Sequence, residues 1–382
     1  MDLVDFTPIL KTVRDFVRNE VIPLENVIEE TDAIPAALKQ QAAEMGLFGY
    51  ALPEEYGGLG FNATEDVLLA MELGQTAPAF RSMFGTNNGI AGQVLVNFGT
   101  DDQKRRYLPK LASGELVASF ALTEPEAGSD PSGLRTKAVR DGDGYLISGQ
   151  KRFITNTSTA DILMVFARTG DVSDGTKGIS VFIVDAKAPG VTIGPKDAKM
   201  GQRGSTTSEL FFDRVRVHAD ELVGGNEGDG FAAAMRSLAK GRLTIAALCV
   251  GLATRLLEES VTHATVTTQG GQPIANFQLV QAMLAESQAE LFAGRSMVLE
   301  AARLFDEGTD RRLAPSCAKL FCSEMVGRVA DRAVQIFGGM GYMREVAVER
   351  FYRDARLYRI YEGTSEVQKL VIAKALLKGD RV

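Results

Sequence analysis

Apolar residues return every three or four positions over 6–18 and 35–45, which predicts two amphipathic helices early in the chain. The glycines of Glu54-Glu55-Tyr56-Gly57-Gly58-Leu59-Gly60 interrupt that period with a loop. Helical spacing resumes over 66–73, 89–98 and 103–111. Near Val117 the period changes. Residues 137–139 and 145–147 flank Asp141-Gly142-Asp143-Gly144, a strong hairpin signal. Residues 162–167, 179–184 and 209–212 are apolar strand candidates, with Gly- and Pro-bearing turns between them. After Gly224-Gly225-Asn226-Glu227-Gly228-Asp229-Gly230 the helical period returns and persists over 231–263, 277–305, 314–337 and 365–377. Long helices with short connections predict an antiparallel bundle. The expected fold class is therefore α+β. It has an N-terminal helical domain over 1–117, a small central β-barrel or sandwich domain over 118–225, and a C-terminal four-helix bundle over 226–382.

A chain of 382 residues exceeds the usual single core, in keeping with that division. The net charge of −7 argues against a sequence-independent nucleic-acid binder, which needs a basic face. It leaves room for an anionic substrate met by local positive groups. Cys249, Cys317 and Cys322 lie in apolar helical stretches without repeated spacing, which fits reduced thiols and a cytoplasmic protein. The start, Met1-Asp2-Leu3-Val4-Asp5-Phe6, is acidic and lacks an apolar core, so no secretory signal is expected. The apolar stretch 245–253 is too short to span a bilayer and reads as buried helix.

The two histidines, His218 and His263, fall in different domains with no partner at ligand spacing, which disfavours a zinc site or a histidine triad. No metal site is expected. Gly338-Gly339-Met340-Gly341 contains a GxG triplet, but it follows a helix rather than a strand, so a dinucleotide fingerprint fails. The richest chemical signal is Ile360-Tyr361-Glu362-Gly363-Thr364-Ser365-Glu366-Val367-Gln368. It sets one carboxylate between an aromatic ring and a glycine, just before a Thr/Ser helix start. Taken alone, that pattern also describes a solvated Glu complementing a helix dipole. Upstream stand Ala121-Leu122-Thr123-Glu124-Pro125-Glu126-Ala127-Gly128-Ser129-Asp130 and Lys151-Arg152-Phe153-Ile154-Thr155-Asn156. Together, in this order, these segments resemble the acyl-CoA dehydrogenase family, and the resemblance covers nearly the whole chain.

The resemblance implies FAD-dependent α,β-dehydrogenation of an acyl-CoA, with Glu362 as the catalytic base and hydride passing to flavin N5. Phe120, Leu122, Thr123, Gly128 and Ser129 would line the flavin and its ribityl-pyrophosphate. Phe153, Ile154 and Thr155 would cover the other side of the ring, with Thr155 near N5. Thr364 and Glu366 would contact the cofactor beyond the catalytic loop. Phe277 and Gln278 belong to the implied cofactor set, as do Gln335, Ile336, Gly338 and Gly339, a stretch that reaches the FAD of a partner subunit. Ser129, Arg242, Tyr361 and Gly363 would contact the substrate. Some members carry the catalytic Glu at the position of Gly241, and glycine closes that alternative here. Implied partners are an electron-transferring flavoprotein as acceptor and further copies of the chain in a homotetramer, within fatty-acid β-oxidation. A hetero-oligomer, a partner subunit of one, and a flavin oxidase of the same fold are the alternatives.

The chain departs from the family pattern at several places. Thr267 and Gly270 stand where the family has Arg and Phe, which removes a phosphate contact worth roughly 1.5–3 kcal/mol. Phe153 replaces a commoner tryptophan. Arg81-Ser82 occupies a region resembling the acyl-end contact of glutaryl-CoA dehydrogenases. A surface arginine is the expectation there, and Gly85 at the second polar position weakens a dicarboxylate reading further.

Overall fold

Local helix signals dominate the first 115 residues. In this computed structural model, which describes residues 3–380, they form α1 (Leu3–Phe16), α2 (Glu25–Thr31), α3 (Ala36–Glu44), α4 (Ala63–Leu73), α5 (Pro78–Asn88), α6 (Gly92–Phe98) and α7 (Asp101–Ser113). Met1 and Asp2 of the acidic start lie outside the described residues. Asn62 Oδ1 accepts the Glu65 amide at 2.9 Å, and the Glu65 carboxylate takes the Asn62 N–H at 3.0 Å. This reciprocal cap starts α4. Thr100 and Gln103 repeat it for α7, which stops at Gly114 in the left-handed region, φ 76°.

The middle strands are β1 (Ala118–Ala121), β2 (Lys137–Asp141), β3 (Gly144–Thr155), β4 (Ile162–Arg168), β5 (Ile179–Asp185), β6 (Val191–Ile193) and β7 (Thr207–His218). They build one curled sheet in the order β1-β4-β2-β3-β7-β6, with β5 on β4. The β2–β3 hairpin turns at Gly142-Asp143, as the glycines predict. β4 and β5 are apolar almost throughout because both their faces are buried, β4 lying between the cores on either side of the sheet. β7 alternates buried and exposed positions. The β3–β7 register slips between Lys151 and Ile154, and Phe153 within that irregularity has φ 59°. The bulge re-aims its side chain.

The C-terminal part holds α8 (Gly230–Val266), a small hairpin β8 (Thr268–Gln269) and β9 (Gln272–Pro273), then α9 (Gln278–Asp306), α10 (Leu313–Phe337), α11 (Ala347–Ala355) and α12 (Ser365–Leu377). Among the described residues α8 is the one helix long and apolar enough to cross a membrane, yet its apolar window is mostly buried inside the protein. Residues 245–253 sit in the largest core, shared with α1, α4, α5, α9 and α10. The triplet at Gly338 lies in a short 3₁₀ turn after α10, so no strand precedes it.

Helices α4 and α8 touch backbone to backbone. A Cβ on Gly251 would overlap the Met71 carbonyl, and one on Gly74 would come within 2.6 Å of the Leu248 carbonyl oxygen. Glycine is required by this closeness rather than by a special φ. Gly251→Val should therefore separate the helices and lower stability by about 1–3 kcal/mol. Thermal unfolding by circular dichroism measures this, and an unchanged midpoint would show that the crossing yields freely.

Candidate active site

Strand β1 is hung from the helical domain by one side chain. Asn87 Nδ2 donates to the Leu111 and Leu116 carbonyls at 3.0 and 2.9 Å, while its Oδ1 accepts the Ala118 N–H at 2.9 Å. Ser119 Oγ then donates to the Thr155 carbonyl at 2.7 Å, tying β1 to the end of β3. These ties bring Phe120, Leu122, Thr123, Gly128, Ser129, Phe153, Ile154 and Thr155 to one wall of a cavity of about 260 Å³.

The wall is stiffened from behind. Lys151 Nζ donates to Glu124 Oε1 at 2.7 Å and to the Leu122 carbonyl at 3.2 Å, with both side chains buried. Glu124 also accepts the backbone N–H groups of Arg135 and Thr136 at 2.6 and 2.9 Å. Burial alone would raise the Glu124 carboxyl, but the Lys151 ammonium and these hydrogen bonds outweigh it and hold it below the ordinary range. Burial pulls Lys151 down to about 8 against the raising effect of Glu124. The loop 122–136 is thus fastened to β3 just ahead of Phe153. The Phe153 ring is 62% exposed, with the Arg152 guanidinium 4.7 Å from its centroid. An open ring in a strained backbone position beside an open Gly128 suits a flat aromatic ligand.

The same cavity is also lined by residues of the helical parts: Arg81, Gly241, Arg242, Leu357, Tyr358, Tyr361, Glu362 and Gly363. Glu362 as a residue is half-buried, but its Oε2 is sealed from solvent and has no hydrogen-bond partner. Its φ is 52°, a left-handed position that glycine favours. Burial drives its carboxyl above the ordinary carboxylate range, against the opposing pull of Arg81, Lys319 and Arg242. A Cβ on Gly241 would overlap Glu362 Oε2, so the bare position at 241 leaves room for the Glu362 carboxylate. Arg242 Nη1 donates to Ser316 Oγ at 3.3 Å, and burial lowers its guanidinium.

Arg81 corrects the expectation of a surface residue. It sits inside α5, lines the cavity, and its Nε is sealed from solvent. Its guanidinium folds over Gly85, where a Cβ would lie 2.7 Å from Cζ, and it faces Tyr50, Glu362, Asp66 and Tyr361. The small residue at 85 gives the side chain its space. Thr364 caps α12, accepting the Val367 N–H at 3.2 Å, and Glu366 is exposed; neither lines the cavity. Phe277, Gln278, Gln335, Ile336, Gly338 and Gly339 also do not line the cavity. They gather where α9 begins and α10 ends, beside the stacked His263 and Phe337 rings and a small core of Ala264, Ile274 and Ile336. All but Ile336 are exposed.

Three family descriptions match successive parts of the chain. The acyl-CoA dehydrogenase N-terminal domain matches residues 6–115, the middle domain 119–215 and the C-terminal domain 228–377. The chain belongs to the acyl-CoA dehydrogenase family. It is an oxidoreductase of acyl-CoA that works with FAD. An acyl-CoA dehydrogenase of Bacillus subtilis (strain 168) is 42% identical over 97% of both chains. The CarC subunit of the caffeyl-CoA reductase-Etf complex of Acetobacterium woodii is 38% identical over 97% of both. The butyryl-CoA dehydrogenase structure from Megasphaera elsdenii superimposes with a TM-score of 0.93 at 36% identity, covering 99% of this chain and 98% of that one.

Sequence reading missed Arg81, Lys319, Gln368 and the Lys151–Glu124 pair as parts of the site. The signal for Lys319 was a lone cation in the apolar run Cys317-Ala318-Lys319-Leu320-Phe321, where a surface helix would carry more polar company. Lys151→Met should leave Glu124 buried without its partner and destabilise the sheet domain by about 3–5 kcal/mol. Loss of bound flavin on heating should come earlier in this variant. A wild-type melting curve would show that the backbone donors alone hold Glu124.

Proposed function

We propose that this chain oxidises the Cα–Cβ bond of an acyl-CoA to the trans-2-enoyl-CoA, with Glu362 as the base that removes the α-proton. The observation that carries the reading is the sealed, burial-raised Glu362 carboxyl in the same cavity that Phe120, Leu122, Thr123, Gly128, Ser129, Phe153, Ile154 and Thr155 line. The cavity wall, with its open glycine and outward-turned Phe153, fits FAD. Phe120, Leu122, Thr123, Gly128, Ser129, Phe153, Ile154 and Thr155 are the residues assigned to hold it. When bound, FAD accepts the β-hydrogen with its electron pair. Glu362 takes the α-proton on the other side, and its backbone N–H is the donor assigned to the thioester oxygen, where enolate-like charge develops. Tyr361, Gly363, Arg242 and Ser129 are assigned to the acyl-CoA. Closing the carboxylate off from water brings it toward the working range of a general base.

Thr364 and Glu366 complete the cofactor set beyond the catalytic loop. The exposed group at Phe277, Gln278, Gln335, Gly338 and Gly339, with Ile336, is assigned to the FAD of a neighbouring copy in a homotetramer. Its exposure supports that reading, because among the described residues none covers it. An electron-transferring flavoprotein is the assigned acceptor, supported by the similarity to a subunit named as part of an Etf complex. We place the reaction in cytoplasmic fatty-acid β-oxidation and divide the chain at 117/118 and 225/226.

Glu362→Gln should keep FAD and fold yet slow anaerobic flavin bleaching by acyl-CoA about 10²–10⁴-fold. Near wild-type bleaching would refute the assignment. Because burial raises the carboxyl and the base acts only when ionised, the wild-type rate should climb with pH through a limb above the free glutamate value of about 4.3. A limb at or below that value would contradict it. Sedimentation of FAD-loaded protein should give a tetramer. An active, FAD-loaded monomer would contradict the shared-cofactor assignment.

A further inference from the structure

Helix α10 presents one buried cation to the loop that bears Glu362. Lys319 is fully buried, and its Nζ donates to the Gly363 carbonyl at 2.7 Å. Gln368 Nε2 donates to the same carbonyl at 3.0 Å and to the Glu362 carbonyl at 3.4 Å. Two donors therefore grip the Gly363 carbonyl, one residue past Glu362. The grip has something to hold. Glu362 at φ 52° sits in a region costing a non-glycine residue on the order of 1–3 kcal/mol, and such a conformation persists only where its surroundings over-determine it. Gly363 continues the turn at φ 92°. One and a half turns along α10, Glu324 accepts the Ser365 hydroxyl at 2.6 Å and Arg359 Nη1 at 3.0 Å. Both ends of the loop are thus tied to the helix that carries Lys319.

We propose that Lys319 is a positioning residue for the base: its hydrogen bond to the Gly363 carbonyl keeps Glu362 turned into the cavity, and its charge holds the carboxyl ready to ionise in a site closed to water. The proposal rests on Glu362 as the base. The charged and titratable groups facing Glu362 are Arg81 from α5, Arg242 from α8, Lys319 from α10 and the adjoining Tyr361. Those facing Lys319 are Cys249 and Arg242 from α8, Glu362, and Glu324 on its own helix. Arg242 spends its observed hydrogen bond on Ser316, and Arg81 leaves its Nε unpaired. Lys319 is the cation of the three that bonds the loop backbone.

Charge and grip separate experimentally. The reading is anaerobic flavin bleaching by a saturating acyl-CoA across pH, with FAD content and melting temperature followed alongside. Lys319→Gln keeps a donor and loses the charge. Its acid limb should move up by about one pH unit, because an opposing positive charge is gone. Lys319→Arg keeps the charge, so its limb should stay with the wild type while the rate at the plateau falls about tenfold. Gln368→Leu loosens the grip alone and should slow the plateau with the limb in place. A Lys319→Gln limb that coincides with the wild type overturns the proposal, as does an equal shift in Lys319→Arg. Should Lys319→Gln fail to fold, the other two carry the test. A displaced limb in either overturns the proposal, and a wild-type limb with slowed bleaching in both supports it. Glu362→Gln separates the two readings. If it bleaches rapidly the base is misassigned. If it is inert while the Lys319→Gln limb is unmoved, the role of Lys319 alone fails.

Discussion

A carboxylate closed off from water is the constraint around which this molecule is arranged. An isolated ion in a dry site neutralises unless opposite charge is brought to it. Here the opposite charge comes from three helices in two parts of the chain: Arg81 on α5, Arg242 on α8 and Lys319 on α10. Each cation is itself penalised by burial, so none is free to dominate. Burial still wins, and the Glu362 carboxyl stays raised. More cations would turn it into a strongly ionised and weak base, and fewer would leave it permanently protonated. The balance holds only if the helical domain lies hard against α8, which the glycine contact between α4 and α8 permits, and only if positions 85 and 241 carry no side chain.

Another part of the cavity lining, at Lys199 and Gln202, depends on a second arrangement in which three parts of the chain meet. Segment 196–204, between β6 and β7, leaves the sheet and is gripped from both sides. Lys196 Nζ pairs with Asp32 at 2.6 Å, and the Arg203 Nε donates to the Glu29 carbonyl at 2.5 Å. From α11, Arg353 Nη1 donates to the Met200 carbonyl at 3.0 Å while its Nη2 pairs with Glu29 at 2.8 Å. The Gln202 N–H donates to buried Asp354, whose carboxyl burial drives up to about 7. Gln202 has φ 54° and lines the cavity beside Tyr361. Glu25 does comparable work deeper in, taking the Arg255 and Arg350 guanidiniums and the Thr76 hydroxyl. Such buried networks hold a geometry only when nearly every member is satisfied.

The long helices were legible because their apolar periods persist, whereas the shorter α2, α5 and α11 were not read, and the capped starts of α4 and α7 lie two or three residues ahead of where the period alone put them. The Asp141-Gly142-Asp143-Gly144 turn was equally plain. Strand β6 and the short β1 were not, since three or four residues carry too little period to read. The motif residues of the cavity were legible as an ordered set, and the structure gathers them around one cavity. Arg81 was misread because helical periodicity cannot tell an inward arginine from an outward one. What decides it is the absence of side chains at Gly85 and Gly89, one and two turns on, and the Glu362 charge some 280 residues away in sequence. Lys319 and Gln368 were missed for the same reason. Lys319 donates to a carbonyl 44 residues on, and Gln368 bends back across the start of its own helix to the same carbonyl, contacts that an apolar period does not record.

The two walls of the cavity are held by different physics, and this suits their tasks. The sheet wall is fixed by backbone register and by one buried pair, Lys151–Glu124, whose charges cancel close together and throw little field across the cavity. It presents apolar side chains, Phe120, Leu122, Phe153 and Ile154, with hydroxyls and an open glycine among them. The helical side is charged: Arg81, Arg242 and Lys319 all act on the Glu362 carboxyl, and Lys319 also bonds the backbone of its loop. A substitution in the sheet wall should therefore act chiefly through shape and stability. One in the helix wall cannot alter geometry without also altering the proton affinity of the carboxylate. That coupling explains why a left-handed, strained position is kept at Glu362. A relaxed backbone would carry the carboxylate out of the field of the three cations.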